Sequence, residues 1–256
     1  MARALPVFDP EALRMEEEEV YRDPSRWRHY TPLSAPSRLR YVLRYLTILE
    51  RYGLGNLVDD LQDRLQILEP GCGVGSFSSL LALFGDVMSF DVSPEAIKRA
   101  RALFGRVERL TFFEADGAHP DQIARLEGRT FDFILLSEFF PLSRHIVGSP
   151  PPVRVVQAYY ERLAPGGVLI VEHALQLGAW RRNESVLQTQ QMAREFSGHA
   201  YDTLALDVAH LLARGLSGRL DVLVRACARA LSPLAILCCV MWRIDLSKTI
   251  VIQRPR

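Results

Sequence analysis

The 256-residue chain predicts a doubly wound α/β fold with a mostly parallel seven-stranded sheet and a terminal antiparallel hairpin. Three observations carry this prediction. Short apolar runs alternate with helical segments from Gln66 to Gly167, the rhythm of right-handed βαβ units. A glycine-rich turn, Gly71-Cys72-Gly73-Val74-Gly75, separates the first run from the first helix. Two β-rich runs, Leu234–Ile244 and Thr249–Ile252, are joined by Asp245-Leu246-Ser247-Lys248 and read as the closing hairpin.

Taken in order, the first 30 residues are irregular, and the acidic run Glu16 to Glu19 reads as a solvated helix face. Ser37 is placed to cap a helix running to Tyr52. Leu39, Val42, Leu43, Leu46 and Leu49 supply its apolar stripe, and Gly53 stands at the C-cap. Strands are expected at Gln66–Glu69, Val87–Asp91, Leu110–Glu114, Phe131–Ser137 and Gly167–Glu172. Helices are expected near Phe77–Phe84, Pro94–Phe104, Asp121–Leu126 and Val153–Leu163. Residues 174–232 then read as a helical insertion without a strand, with leucines at helical spacing from Leu204 to Leu216. This divides the chain into an N-terminal helical cap, 1–60, and a main domain, 61–256.

Composition fits one soluble globular unit: 48% of residues are hydrophobic, 24% are charged, and the formal net charge is +1. A disordered chain would be richer in charge, and a dedicated nucleic-acid binder would carry a basic excess. Of the 31 basic residues only Lys98 and Lys248 are lysines, and the arginines are dispersed rather than clustered. The start has no signal-peptide apolar region, and the longest unbroken apolar run, Leu234 to Trp242, is too short to span a bilayer. The four cysteines form no CxxC pair and no His/Cys cluster suggests a metal. The expectation is a cytoplasmic protein with reduced thiols, without a membrane or nucleic-acid partner.

The chemistry lies around the glycine turn. Bare backbone there bends tightly and lets a ligand approach. Glu69 precedes it. Asp91 ends the second strand 20 residues after Gly71, where a carboxylate can accept both hydrogen bonds of a ribose diol. Asp116 follows the third strand. All three acids fall at the carboxyl ends of parallel strands, the ligand side of such sheets.

These residues resemble an established set of motifs. Glu69-Pro70-Gly71-Cys72-Gly73-Val74-Gly75 looks like the first motif of class I S-adenosylmethionine-dependent methyltransferases. Phe90 to Ile97 resembles their second-strand acid motif, and Asp116-Gly117 their adenine contact. Phe131 to Glu138 resembles their fourth-strand motif, and Leu163 to Ile170 the turn before their fifth strand. The likeness spans about residues 60–173. It implies a Rossmann-like fold and S-adenosylmethionine as cofactor; the acidic metal set of catechol-type methyltransferases is not evident, and no metal is expected. It also implies cofactor contacts at Glu69, Gly71, Cys72, Gly73, Gly75, Asp91, Val92, Asp116, Gly117 and Ser137. Trp27, His29 and Tyr30 precede the first helix, where related enzymes cover the methionine end, so Tyr30 joins the set. The spacing G-x-G-x-G after an acid suits a cationic ligand end better than the pyrophosphate of a dinucleotide.

Methyl transfer from a sulfonium needs proximity and alignment above all, with a general base only for a protonated acceptor. Glu138 follows the fourth strand and is a candidate to orient an amine or take its proton. His173 ends the fifth strand and is a candidate base for a hydroxyl or carboxyl acceptor; His145 is a third choice. The expected activity is methylation of nitrogen or oxygen on a small molecule. Methylation of a protein or peptide, and use of the cofactor without methyl transfer, remain as alternatives. The resemblance implies that 174–232, with Trp180, His199, Tyr201 and His210, builds the acceptor pocket or a homodimer face.

Overall fold

The computed structural model describes residues 7–23, 35–54, 64–143, 145–175, 191, 194–196, 198–202, 230–231 and 246–256. In chain order the elements are β1 (Val7–Phe8), α1 (Pro10–Arg22), α2 (Ala35–Arg51), β2 (Leu65–Pro70), α3 (Ser78–Leu81), β3 (Gly85–Asp91) and α4 (Pro94–Phe104). They continue with β4 (Leu110–Glu114), β5 (Phe131–Ser137), α5 (Phe140–Ser143), β6 (His145–Ile146), α6 (Pro152–Glu161), β7 (Leu163–Leu175), β8 (His199–Asp202) and β9 (Leu246–Gln253).

The main sheet runs β4-β3-β2-β5-β7-β9-β8. Strands β4, β3, β2, β5 and β7 pair in parallel, and β9 pairs antiparallel with both β7 and β8. The chain starts at β2, winds out to β4, then returns to β5 on the other side. The switch point where open α/β sheets bind ligands therefore lies between β2 and β5.

Alternation along the strands explains the layers. Leu68, Phe90, Ile134, Leu136, Leu169, Val171, Ile250 and Ile252 face one core, closed by Val155, Val156 and Tyr159 of α6. Their neighbours Ile67, Val87, Phe133, Leu135, Val168, Ile170 and Val251 face the other core, closed by Tyr45, Ile48 and Leu49 of α2. Strands apolar on both faces are what a helix-covered parallel sheet requires. Each fully buried side chain of α2 contributes roughly 1.5–3 kcal/mol by leaving water. At α1, the Asp9 carboxylate accepts from the N–H groups of Glu11 (2.9 Å) and Ala12 (3.0 Å), satisfying two donors that the first turn leaves open.

Several expectations need correction. The second helix begins at Ala35 rather than being capped at Ser37. Pro36 lies in its first turn, where a missing N–H costs nothing. The segment expected as a helix at Asp121–Leu126 forms two 3-10 turns, Pro120–Gln122 and Ala124–Leu126. Ile123 between them is extended and buries its side chain in the core. The Arg162 guanidinium takes up the carbonyls of Pro120 (3.0 Å) and Leu126 (2.7 Å), so a continuous helix is not needed to satisfy them. The outer neighbour of β9 is β8, inside the stretch expected to lack strands. Of the expected hairpin, Thr249–Ile252 lies in β9, while Leu234–Ile244 falls outside the described residues. Four residues such as His199-Ala-Tyr-Asp carry little strand pattern of their own; the open edge of β9 supplies it. A second, two-stranded parallel sheet pairs β1 with β6, Val7 opposite His145 and Phe8 opposite Ile146.

Candidate active site

The glycine turn leaves β2 at the switch point. Gly71, Gly73 and Gly75 have φ of 70°, 53° and 82°, the left-handed region that a side chain resists. Space is equally restrictive. A Cβ on Gly75 would stand 2.9 Å from Cζ of Phe112, and one on Gly73 would stand 3.1 Å from the Tyr21 hydroxyl. Helix α1 thus rests on the turn through Tyr21, which packs with Val74 and with Ala96 of α4.

Asp91 ends β3 beneath this turn. Its Oδ2 accepts from the Gly73 N–H (2.9 Å) and its Oδ1 from the Ser93 N–H (2.9 Å). One carboxylate thereby holds the turn and the start of α4. Burial raises the Asp91 pKa above its ordinary value, and the hydrogen bonds oppose the shift. Val92 follows with 44% of its surface exposed, an apolar platform at a strand end.

Glu69 is buried under the turn. Its Oε2 accepts from Ser78 Oγ and from Ser89 Oγ, the latter at 3.1 Å. Burial pushes its pKa up to about 8. At neutral pH it holds a proton, and a positive group arriving beside it would release that proton. Cys72 donates its backbone N–H to Phe90 O (3.0 Å) and packs its side chain against Ile97, Ala100 and Phe112. Its thiol donates to the Gly73 carbonyl of the turn (3.6 Å), and burial raises the thiol's pKa.

Asp116 is exposed beyond β4, with one oxygen taken by the Ala118 N–H (2.9 Å). Gly117 beside it is buried, and its carbonyl accepts from the Tyr159 hydroxyl (2.8 Å). Six expected positions, Gly71, Gly73, Gly75, Asp91, Val92 and Asp116, therefore gather at the carboxyl ends of β2, β3 and β4, with Glu69 below them.

The expected acceptor residues follow β5 and end β7. Ser137 closes β5 opposite Glu172 of β7. Glu138 is exposed and has φ of 48°, the one positive value on a non-glycine among the described residues. Its N–H donates to Glu172 O (2.9 Å), which pins the turn to β7. A left-handed glutamate at a strand end is the kind of strain that functional sites retain. His173 lies on β7 opposite Lys248 of β9, and His145 lies on β6 opposite Val7. Tyr30, Trp27, His29, Trp180 and His210 lie outside the described residues.

Sequence reasoning missed the buried charges on this side. Arg44 of α2 donates to Glu172 Oε1 (2.9 Å), with 3% and 8% of the two side chains exposed. Tyr45 donates to Glu172 Oε2 (3.1 Å). The Arg44 guanidinium also lies 4.9 Å from the Tyr41 ring centre, and Tyr41 meets Phe77 of the glycine turn edge-on at 4.8 Å. An acid ending an apolar strand and an arginine inside an apolar helix stripe were the available signals. Among the described residues no group of three His, Cys, Asp or Glu could hold a metal ion, and no helix is long and apolar enough to cross a membrane.

With this geometry in view, the chain carries the fold of class I S-adenosylmethionine-dependent methyltransferases. Residues 68–171 match the family model described as a methyltransferase domain. No curated protein matches the chain. Among solved structures, the [4+2]-cyclase SpnF superposes with a TM-score of 0.58 at 16% identity, covering 98% of this chain and 99% of that one. The plantazolicin methyltransferase BamL, in complex with a triazolic desmethylPZN analog and SAH, gives 0.56 at 14% identity, covering 96% and 97%. The N-methyltransferase NodS from Bradyrhizobium japonicum WM9, in complex with S-adenosyl-L-homocysteine, gives 0.56 at 18%, covering 95% and 98%. At these identities the likeness is one of fold, and the three include a cyclase beside two methyltransferases.

Proposed function

We propose that the chain binds S-adenosylmethionine and moves its methyl group to nitrogen or oxygen of a small molecule. The observation carrying this reading is the set of acids around a backbone-only turn at the switch point. The residues present fit the cofactor. Asp91 ends β3 against the turn, where a carboxylate can accept from a ribose diol, Val92 offers an apolar surface to a flat ring, and Asp116 can accept from an amino group. Glu69 can balance a positive charge once it gives up its proton.

When bound, the cofactor supplies an electrophilic methyl carbon on a leaving group that departs as a neutral thioether. The chain's own part is alignment, which can be worth about 7–11 kcal/mol in favourable cases. Glu138 orients the acceptor and takes its proton when the acceptor arrives protonated; His173 is the second candidate for that proton. Tyr21, above Gly73, gives the cap of residues 1–60 a direct hold on the cofactor turn. The near-neutral charge supports a small acceptor over nucleic acid. A cytoplasmic location, and a homodimer built through 174–232, belong to the same proposal.

Calorimetry with S-adenosylhomocysteine tests the first half: binding by the wild type and its loss in Asp91→Ala are expected, and no heat from the wild type overturns the assignment. Release of S-adenosylhomocysteine during turnover tests the second half. The fold likeness to a [4+2]-cyclase favours one further reading, in which the cofactor is held and not consumed. Intact S-adenosylmethionine recovered after product has formed would select it.

A further inference from the structure

We propose that Phe139 is a positioning residue that sets the spacing between the two walls of the cofactor groove. This rests on the cofactor reading above. One wall is the turn after β2, at Gly71; the other is the turn after β4, at Gly117. Strands β2 and β4 do not pair, because β3 lies between them. The Phe139 ring bridges them. A Cβ on Gly71 would stand 2.8 Å from its Cδ2, and a Cβ on Gly117 would stand 2.6 Å from its Cζ.

The ring is itself fixed. It is 4% exposed and meets Tyr159 of α6 edge-on, with centres 5.9 Å apart. The Tyr159 hydroxyl binds the Gly117 carbonyl, so ring and second wall share one support. The left-handed backbone at Glu138 turns the chain off β5 and delivers the next side chain into this gap. Gly117 has no left-handed φ, so its backbone does not demand glycine; the ring does. Phe139 and Gly117 are thus a matched pair of large and small. Their fit decides whether the adenosine side and the methionine side of one ligand can be engaged together.

A size exchange tests this, read by calorimetry with S-adenosylhomocysteine and, separately, adenosine. Gly117→Ala forces the new methyl against the ring and is expected to weaken S-adenosylhomocysteine about tenfold or more. Phe139→Leu frees the walls and is expected to weaken it by about five- to twentyfold, with adenosine alone changed by less than about twofold. The double variant, with the alanine methyl filling room that the ring vacates, is expected to recover to within about threefold of wild type. Thermal melts accompany each titration, and Phe139→Met replaces Phe139→Leu if the latter does not fold. A double variant no better than the worse single one overturns the proposal, as does Phe139→Leu weakening both ligands equally or neither. If the wild type binds and these outcomes follow, only the role of Phe139 falls. A wild type that binds neither ligand removes the cofactor assignment, and this inference with it.

Discussion

The two halves of the site are built by different means. On the β2–β4 side, position is set by backbone: left-handed glycines, and one carboxylate holding two N–H groups. On the β5–β7 side, position is set by side chains far apart in sequence, the buried Arg44, Tyr45 and Glu172 under the strained Glu138. The first construction tolerates no added atom. The second depends on every partner being present, since a buried charge left alone costs far more than a buried pair gains.

The sharpest way to break this contrast is Arg44→Met, which strands the Glu172 carboxylate. It should destabilise the protein by about 3–5 kcal/mol in urea titrations, and Arg44→Met with Glu172→Gln should recover most of that. Affinity of the folded fraction for S-adenosylhomocysteine should hold within about twofold; a larger fall would show that the halves are not separate. Next in size, Gly75→Ala meets both a left-handed φ and Phe112, and should weaken S-adenosylhomocysteine by about ten- to a hundredfold in calorimetry.

A titration comes third. The Glu69 pKa is raised from 4.5 to about 8, so the stability that its proton gives the ligand-free fold is full below 4.5 and is lost as pH rises through 8. Asp91, also raised, acts in the same direction. Urea midpoints of the ligand-free protein should fall between pH 6 and pH 8.5, and Glu69→Gln should flatten that slope. Affinity for the cationic cofactor should move oppositely, rising several-fold from pH 7 to 8. The smallest effect is a gain. Glu138→Gly relieves the left-handed backbone and should stabilise the fold by about 0.5–1 kcal/mol while turnover is lost. A destabilised glycine variant would mean that Glu138 is not strained.

Legibility followed the same division. The glycine turn, Asp91 and Asp116 were readable because each sits at a fixed short distance from a strand whose apolar run is plain. Glu138 was readable as the residue closing β5, though its backbone conformation was not. The pairing of Arg44 with Glu172 spans 128 positions, and nothing local announces it. Strand β8 was invisible for a related reason, since its conformation comes from β9 rather than from its own four residues. The Phe139 ring stood in plain view beside Glu138, but only the folded chain brings Gly71 and Gly117 to it.

Strand β9 has one more consequence, during synthesis. It lies between β7 and β8, yet follows both in the chain. Until residues 246–253 leave the ribosome, the edge of β7 that β9 covers lacks this partner. A nascent chain paused before that point would carry a strand edge open to pairing with neighbouring chains.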